Sequence, residues 1–173
     1  MTIEKYGDRQ DFMVKFNPAK QVTQCADVKD CFFGEAPTLS TINLTYGKMT
    51  AAMWLVPQLY DLSEFCGCKD KLQGKQLEEC AKVIAMEFSY LKVTEVMLFF
   101  HRFKSGRYGR FYGSVDPLVI TTSLRTFLEE RMYEYDMMEQ QKSKERMMKE
   151  RDEAVPYEDY LKMKEEQKKS EEG

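Results

Sequence analysis

The chain has 173 residues, 43% hydrophobic and 13% aromatic, enough for one compact domain plus an appendage but cramped for two full domains. Its net charge of −3 gives no global attraction to nucleic acid, and no apolar run approaches the roughly 20 residues that cross a bilayer. Charge is uneven along the chain: residues 129–173 carry 15 acids and 10 bases, net −5, whereas residues 1–128 carry 14 acids and 16 bases, net +2.

Residues 1–16 mix charged and polar side chains without the continuous apolar core of a secretion signal. Five cysteines, an odd number without an export signal, are expected to stay reduced, so the sequence reads as cytoplasmic. Large apolar residues at Phe12, Val14 and Phe16 alternate before Asn17 and Pro18, which predicts a short strand ending in a turn. Cys25, Val28 and Phe32 then fall at helical spacing, a short helix or ordered loop before Gly34 and Pro37.

Leu39, Ile42 and Tyr46 share a helical face that Gly47 closes. Residues 48–65 continue with Met49, Met53, Val56, Leu59 and Tyr60, and Pro57 predicts a kink or a restart within them. The clearest segment is 76–91, where Leu77, Cys80, Ala81, Ile84, Ala85, Phe88 and Leu91 repeat at offsets of 3 and 4, as on an amphipathic core helix. Thr94 is the expected cap of the next helix, whose face is Val96, Phe99, Phe100 and Phe103 and whose stop is Gly106.

Asp116 followed by Pro117 marks a strong helix start, since Asp accepts backbone N–H bonds and Pro is pre-set for the first helical position. From there Ile120, Leu124, Phe127, Leu128, Met132, Tyr135 and Met138 form a seam, and residues 139–146 are entirely polar. Beyond Met138 the expectation is a solvated helix with opposite charges at i,i+4, such as Glu145 with Lys149. Pro156 should break that helix, and Tyr157, Tyr160 and Leu161 add a last apolar patch.

The sequence thus predicts a mostly α protein, a compact bundle of about five helices with a long charged C-terminal helix extending from it. Its divisions are an N-terminal arm over 1–36, a helical core over 37–138 and a charged tail over 139–173.

Residues 99–113 are the most unusual stretch, because Arg102, Lys104, Arg107 and Arg110 interleave with Phe103, Tyr108, Phe111 and Tyr112 and no acid occurs between Glu95 and Asp116. Cations neutralise phosphates and aromatic faces stack on bases, so Arg102, Lys104, Arg107, Tyr108, Arg110 and Tyr112 are the candidate nucleic-acid contacts, for DNA or RNA. Gly106 and Gly109 complete a Gly-x-x-Gly. The bland alternative is a connector whose rings plug the core and whose cations meet the solvent or the chain's own acids. A second candidate surface is the tail, where Met137, Met138, Met147 and Met148 offer adaptable thioether chains to a protein partner or a second copy.

Cys66 and Cys68, with Cys25 and Cys31, depart from the Cys-x2–4-Cys spacing of zinc sites, so no metal and no cofactor is expected. His101, the single histidine, lacks any marked orienting partner or oxyanion site, and no catalytic residue is predicted. The expected class is therefore non-enzymatic.

The strings LKVTEV at 91–96 and FFHRFKSGRYGRFYGSVDPLVITTSLRTFLEER at 99–131 resemble a family of uncharacterised proteins from gut Bacteroidales genomes, often in mobile or phage-derived contexts. PTLSTINLTYG and MWLVPQLYDLSEFCG upstream resemble it too, so the resemblance covers about 37–131 and leaves out the tail beyond Met138. It implies a mobile-element origin and a domain of unknown function, with no catalytic residue to transfer.

Overall fold

The computed structural model describes residues 2–153, 159–162 and 164. Within them are nine α-helices and a single 3-10 turn at Pro18–Lys20: α1 Thr2–Tyr6, α2 Arg9–Lys15, α3 Gln21–Gln24, α4 Val28–Phe33, α5 Leu39–Tyr46, α6 Thr50–Phe65, α7 Gly74–Glu87, α8 Val93–Lys104 and α9 Pro117–Glu153. The all-α expectation stands, and the count of about five helices is corrected. The additional helices are short and lie in the first 36 residues, too brief for periodicity to reveal them. Proline 156 and Tyr157, expected to break the tail helix and begin an apolar patch, lie outside the described residues.

The strand expected at 12–16 is instead helical, as α2 and its C-cap Phe16. Phe12 and Phe16 are one helical turn apart and both buried, while Val14 between them is exposed. Asp8 starts α2 by accepting from the N–H groups of Gln10 and Asp11 at 2.7 and 2.9 Å, and the Asp11 carboxylate accepts from the Asp8 N–H in return.

The chain divides into two compact units, Met1–Met132 and Tyr133–Gly173. In the first, α6 packs on α5 and α7, and α8 packs on α3, α4 and α6. Trp54, Phe12, Phe32, Phe99, Phe100 and Phe127 are the largest fully buried side chains, each stabilising the fold by roughly 2–3 kcal/mol relative to exposure. The N-terminal segment is part of this core: Trp54 Nε1–H and Gln58 Nε2–H both donate to the Phe16 carbonyl at 2.8 Å, and Gln21 Nε2–H donates to Gln58 Oε1 at 2.6 Å. Helix α6 runs unbroken through Pro57, where the sequence had predicted a kink or restart.

The cap of α8 lies two residues before the one expected at Thr94. It is Lys92, whose backbone N–H donates to Glu95 Oε2 at 2.8 Å. Thr94 lies inside the helix, and its hydroxyl donates to the Cys31 carbonyl at 2.8 Å, fastening α8 to α4. Asp116 does start α9, accepting from the Leu118 N–H at 2.8 Å.

Along α9, Ile120, Leu124 and Phe127 are fully buried as the spacing requires, but Met132 is exposed. The inward row passes through Arg131 instead, whose Nε–H donates to Glu95 Oε1 at 2.7 Å. Glu95 is wholly buried, and its carboxylate is matched by that guanidinium and by the Lys92 N–H. In the second unit Tyr135 and Met138 are half-buried, and every residue from 139 to 153 is exposed.

Candidate functional site

The basic aromatic stretch leaves α8 at Lys104 and turns at Gly106, Gly109 and Gly113, all with positive φ (85°, 107° and 80°), the region glycine enters without steric cost. Space is open around a Cβ at each of the three, so the backbone turn rather than close packing calls for glycine there.

Most of the stretch faces its own chain. Arg102 Nη1–H donates to Glu130 Oε2 at 2.7 Å, with the two side chains only 11% and 20% exposed, and its guanidinium sits 5.6 Å from the Phe32 ring and 5.9 Å from the Phe127 ring. Arg107 Nε pairs with Glu130 Oε1 at 2.8 Å. The Tyr108 hydroxyl donates to Glu130 Oε2 at 2.9 Å, and burial, then this bond, push its phenol above the ordinary range. Lys104 pairs with Asp61 and lies 5.7 Å from the Phe65 ring.

Two of the rings are equally committed. Tyr108 stacks on Phe99 at 5.4 Å and Phe111 stacks on Phe103 at 5.3 Å. Arg110 forms no ion pair among the described residues, and Tyr112, 89% exposed, is open. Of the six residues singled out for nucleic acid, four are therefore held by Glu130, Asp61 or the aromatic core, and Arg110 and Tyr112 face out. Glu130 and Asp61 carry no local sequence signal: both lie more than twenty residues from their partners, and Glu130 is distinguished only by following Phe127 by three on the same helical face.

The second surface is the helix over residues 133–153. Met137, Met147 and Met148 are 46%, 67% and 61% exposed, and Met138 is half-buried. The Glu145–Lys149 pair expected there is not formed; Glu145 accepts from Gln141 Nε2–H at 3.0 Å. Lys142, Lys144, Arg146, Lys149 and Arg151 form no ion pair among the described residues.

Elsewhere, α5, α6 and α7 border a groove of about 530 Å³ lined by Met49, Ala52, Val83 and Met86, which the sequence did not flag. The cysteines are free thiols, with Cys25, Cys31 and Cys80 buried and Cys66 and Cys68 half-buried. Burial pushes the Cys80 thiol up to about 11. No three His, Cys, Asp or Glu side chains converge as a metal site among the described residues. Nor is any described helix long and apolar enough to cross a membrane.

The fold and its surfaces define an all-α protein whose basic aromatic stretch is, among the described residues, paired with its own carboxylates except at Arg110, and which carries an exposed, Met-bearing charged helix. By its sequence the chain belongs to the family of unknown function DUF6633, whose profile matches residues 71–170. The matched region takes in residues 139–170 of the tail and leaves out residues 37–70. No curated protein and no solved structure matches the chain.

Proposed function

We propose that this protein is a non-enzymatic protein-interaction module that engages its partner through the helix over residues 133–153. One observation carries the reading: this stretch keeps Met137, Met147 and Met148 in solvent beside five bases that form no ion pair among the described residues. A polar helix of this length gains little from propensity alone, and flexible thioether chains adapt to the irregular groove of a partner.

Full-length protein carrying Met147→Glu and Met148→Glu tests the reading, with helix content checked by far-UV circular dichroism. Loss of self-association or of a co-purifying partner at unchanged helix content is the expected result. An unchanged light-scattering mass together with unchanged capture rejects it.

The nucleic-acid reading draws on Arg110 and Tyr112. One or two open cations release about one or two counterions, so affinity would be low and its salt slope shallow, on the order of −1 to −2. We therefore rank it second; tight binding to short DNA or RNA at about 50 mM salt with a steep salt slope would reverse that order. A cytoplasmic location and a mobile-element or phage origin, expected from the sequence, belong with this proposal.

A further inference from the structure

Residues three and four apart on a helix share a face, and in α9 one such row is Glu134, Met137, Gln141, Lys144, Met148 and Arg151. Its steps of 3, 4, 3, 4 and 3 are those of a packed seam. Glu134 is half-buried and the other five are exposed.

Read backwards, the row complements itself. Glu134 at one end answers Arg151 at the other, Met137 answers Met148, and Gln141 answers Lys144. The surrounding charge has the same polarity: residues 133–140 carry Glu134, Asp136 and Glu139 and no base, while residues 142–151 carry five bases against Glu145 and Glu150. The acidic half precedes a basic half on one helix, and within it neither Lys144 nor Arg151 has found an ion pair among the described residues.

We propose that residues 133–153 pair antiparallel with the same helix of a second copy of this chain, setting Glu134 against Arg151, Met137 against Met148 and Gln141 against Lys144, each twice about a two-fold axis. The inference rests on the interaction reading above and names its partner. Orientation follows from charge, because a parallel pair in register would place Arg151 on Arg151 and Glu134 on Glu134, whereas the antiparallel pair sets the acidic half of each helix beside the basic half of the other. A two-fold arrangement is also closed, so it yields a dimer and not a filament. The row spans roughly 26 Å at 1.5 Å per residue and holds one apolar layer at each end of a polar centre. Its association is therefore weak and salt-sensitive, and the polar central layers fix register at the expense of affinity.

Sedimentation equilibrium on the full chain, from micromolar to sub-millimolar concentration, tests this. The expected result is a monomer–dimer equilibrium whose Kd rises about tenfold between roughly 50 mM and 500 mM salt. Arg151→Glu or Glu134→Arg alone weakens the dimer by about tenfold or more, since each sets like charges face to face at two places. The double variant Glu134→Arg with Arg151→Glu exchanges the charges and restores Kd to within about threefold, which loss of fold would not do.

A chain that stays monomeric throughout, a dimer indifferent to Arg151→Glu, or a double variant as weak as the singles overturns the proposal. If the chain is monomeric yet Met147→Glu with Met148→Glu still abolishes capture of a different protein, this inference fails and the interaction reading stands. A dimer undiminished by that methionine pair, with no other partner lost, removes both.

Discussion

Two regions of this chain are rich in Arg and Lys set among large apolar side chains, and they end up in opposite states. At the end of α8 and in the connector that follows, Arg102, Lys104 and Arg107 are matched by Glu130 and Asp61, and Tyr108 and Phe111 complete the aromatic core. In the second half of α9 the bases have no described ion-pair partner and the methionines face water. Composition does not separate the two. What separates them is that Arg102, Lys104 and Arg107 meet carboxylates projecting from α6 and α9, so their charge stabilises the fold, whereas residues 139–153 are exposed throughout and leave theirs in solvent.

The largest break in this comparison comes from the ring that both Arg102 and the core depend on. Phe127 is fully buried, stacks on Phe32 at 5.9 Å and lies under the Arg102 guanidinium. Phe127→Ala should lower unfolding free energy by about 3–5 kcal/mol in urea titration. Next in size is Glu130→Ala, which leaves Arg102, Arg107 and Tyr108 without their shared acceptor and should cost about 2–3 kcal/mol. A loss below about 0.5 kcal/mol would mean the connector's cations are solvated and the contrast with the tail is void.

A smaller effect sharpens the connector's side of the comparison through pH. Burial and the Glu130 bond raise the Tyr108 pKa, so the unfolded phenol ionises first, near about pH 10, while the folded one keeps its proton. Stability from this group is full below that pH and declines as pH rises beyond it. Urea midpoints should therefore fall more steeply above about pH 10 in the wild type than in Tyr108→Phe. Parallel curves would show that the hydroxyl is not held as described. The smallest expected change is at the open positions, where Met137→Ala and Arg110→Ala should each alter stability by no more than about 0.5 kcal/mol.

Much of the architecture was legible where the pattern was long. The Leu77 to Phe88 row and the buried face Ile120, Leu124 and Phe127 emerged from spacing, because long amphipathic helices leave a strong period, and the Asp116 cap from the Asp-Pro pair. Short elements were less readable: Phe12, Val14 and Phe16 satisfy a strand's alternation and a helix's i,i+4 contact together, and it is the burial of Phe12 and Phe16, with the Phe16 carbonyl accepting from Trp54, that goes with the helix. The site was legible as a composition but not as a geometry. Glu130, Asp61 and the Arg131–Glu95 pair join residues 28, 43 and 36 positions apart, and no local signal encodes such meetings. The same limit hid the departure of the inward row from Met132 to Arg131.

Residue-by-residue arginine modification, read by mass spectrometry at low and high protein concentration, tests the contrast most directly. Arg102 should react slowly and Arg110 quickly at every concentration, while Arg151 should react quickly when dilute and slow markedly as copies pair. Equal rates for Arg102 and Arg110, or an Arg151 rate untouched by concentration, would contradict the account.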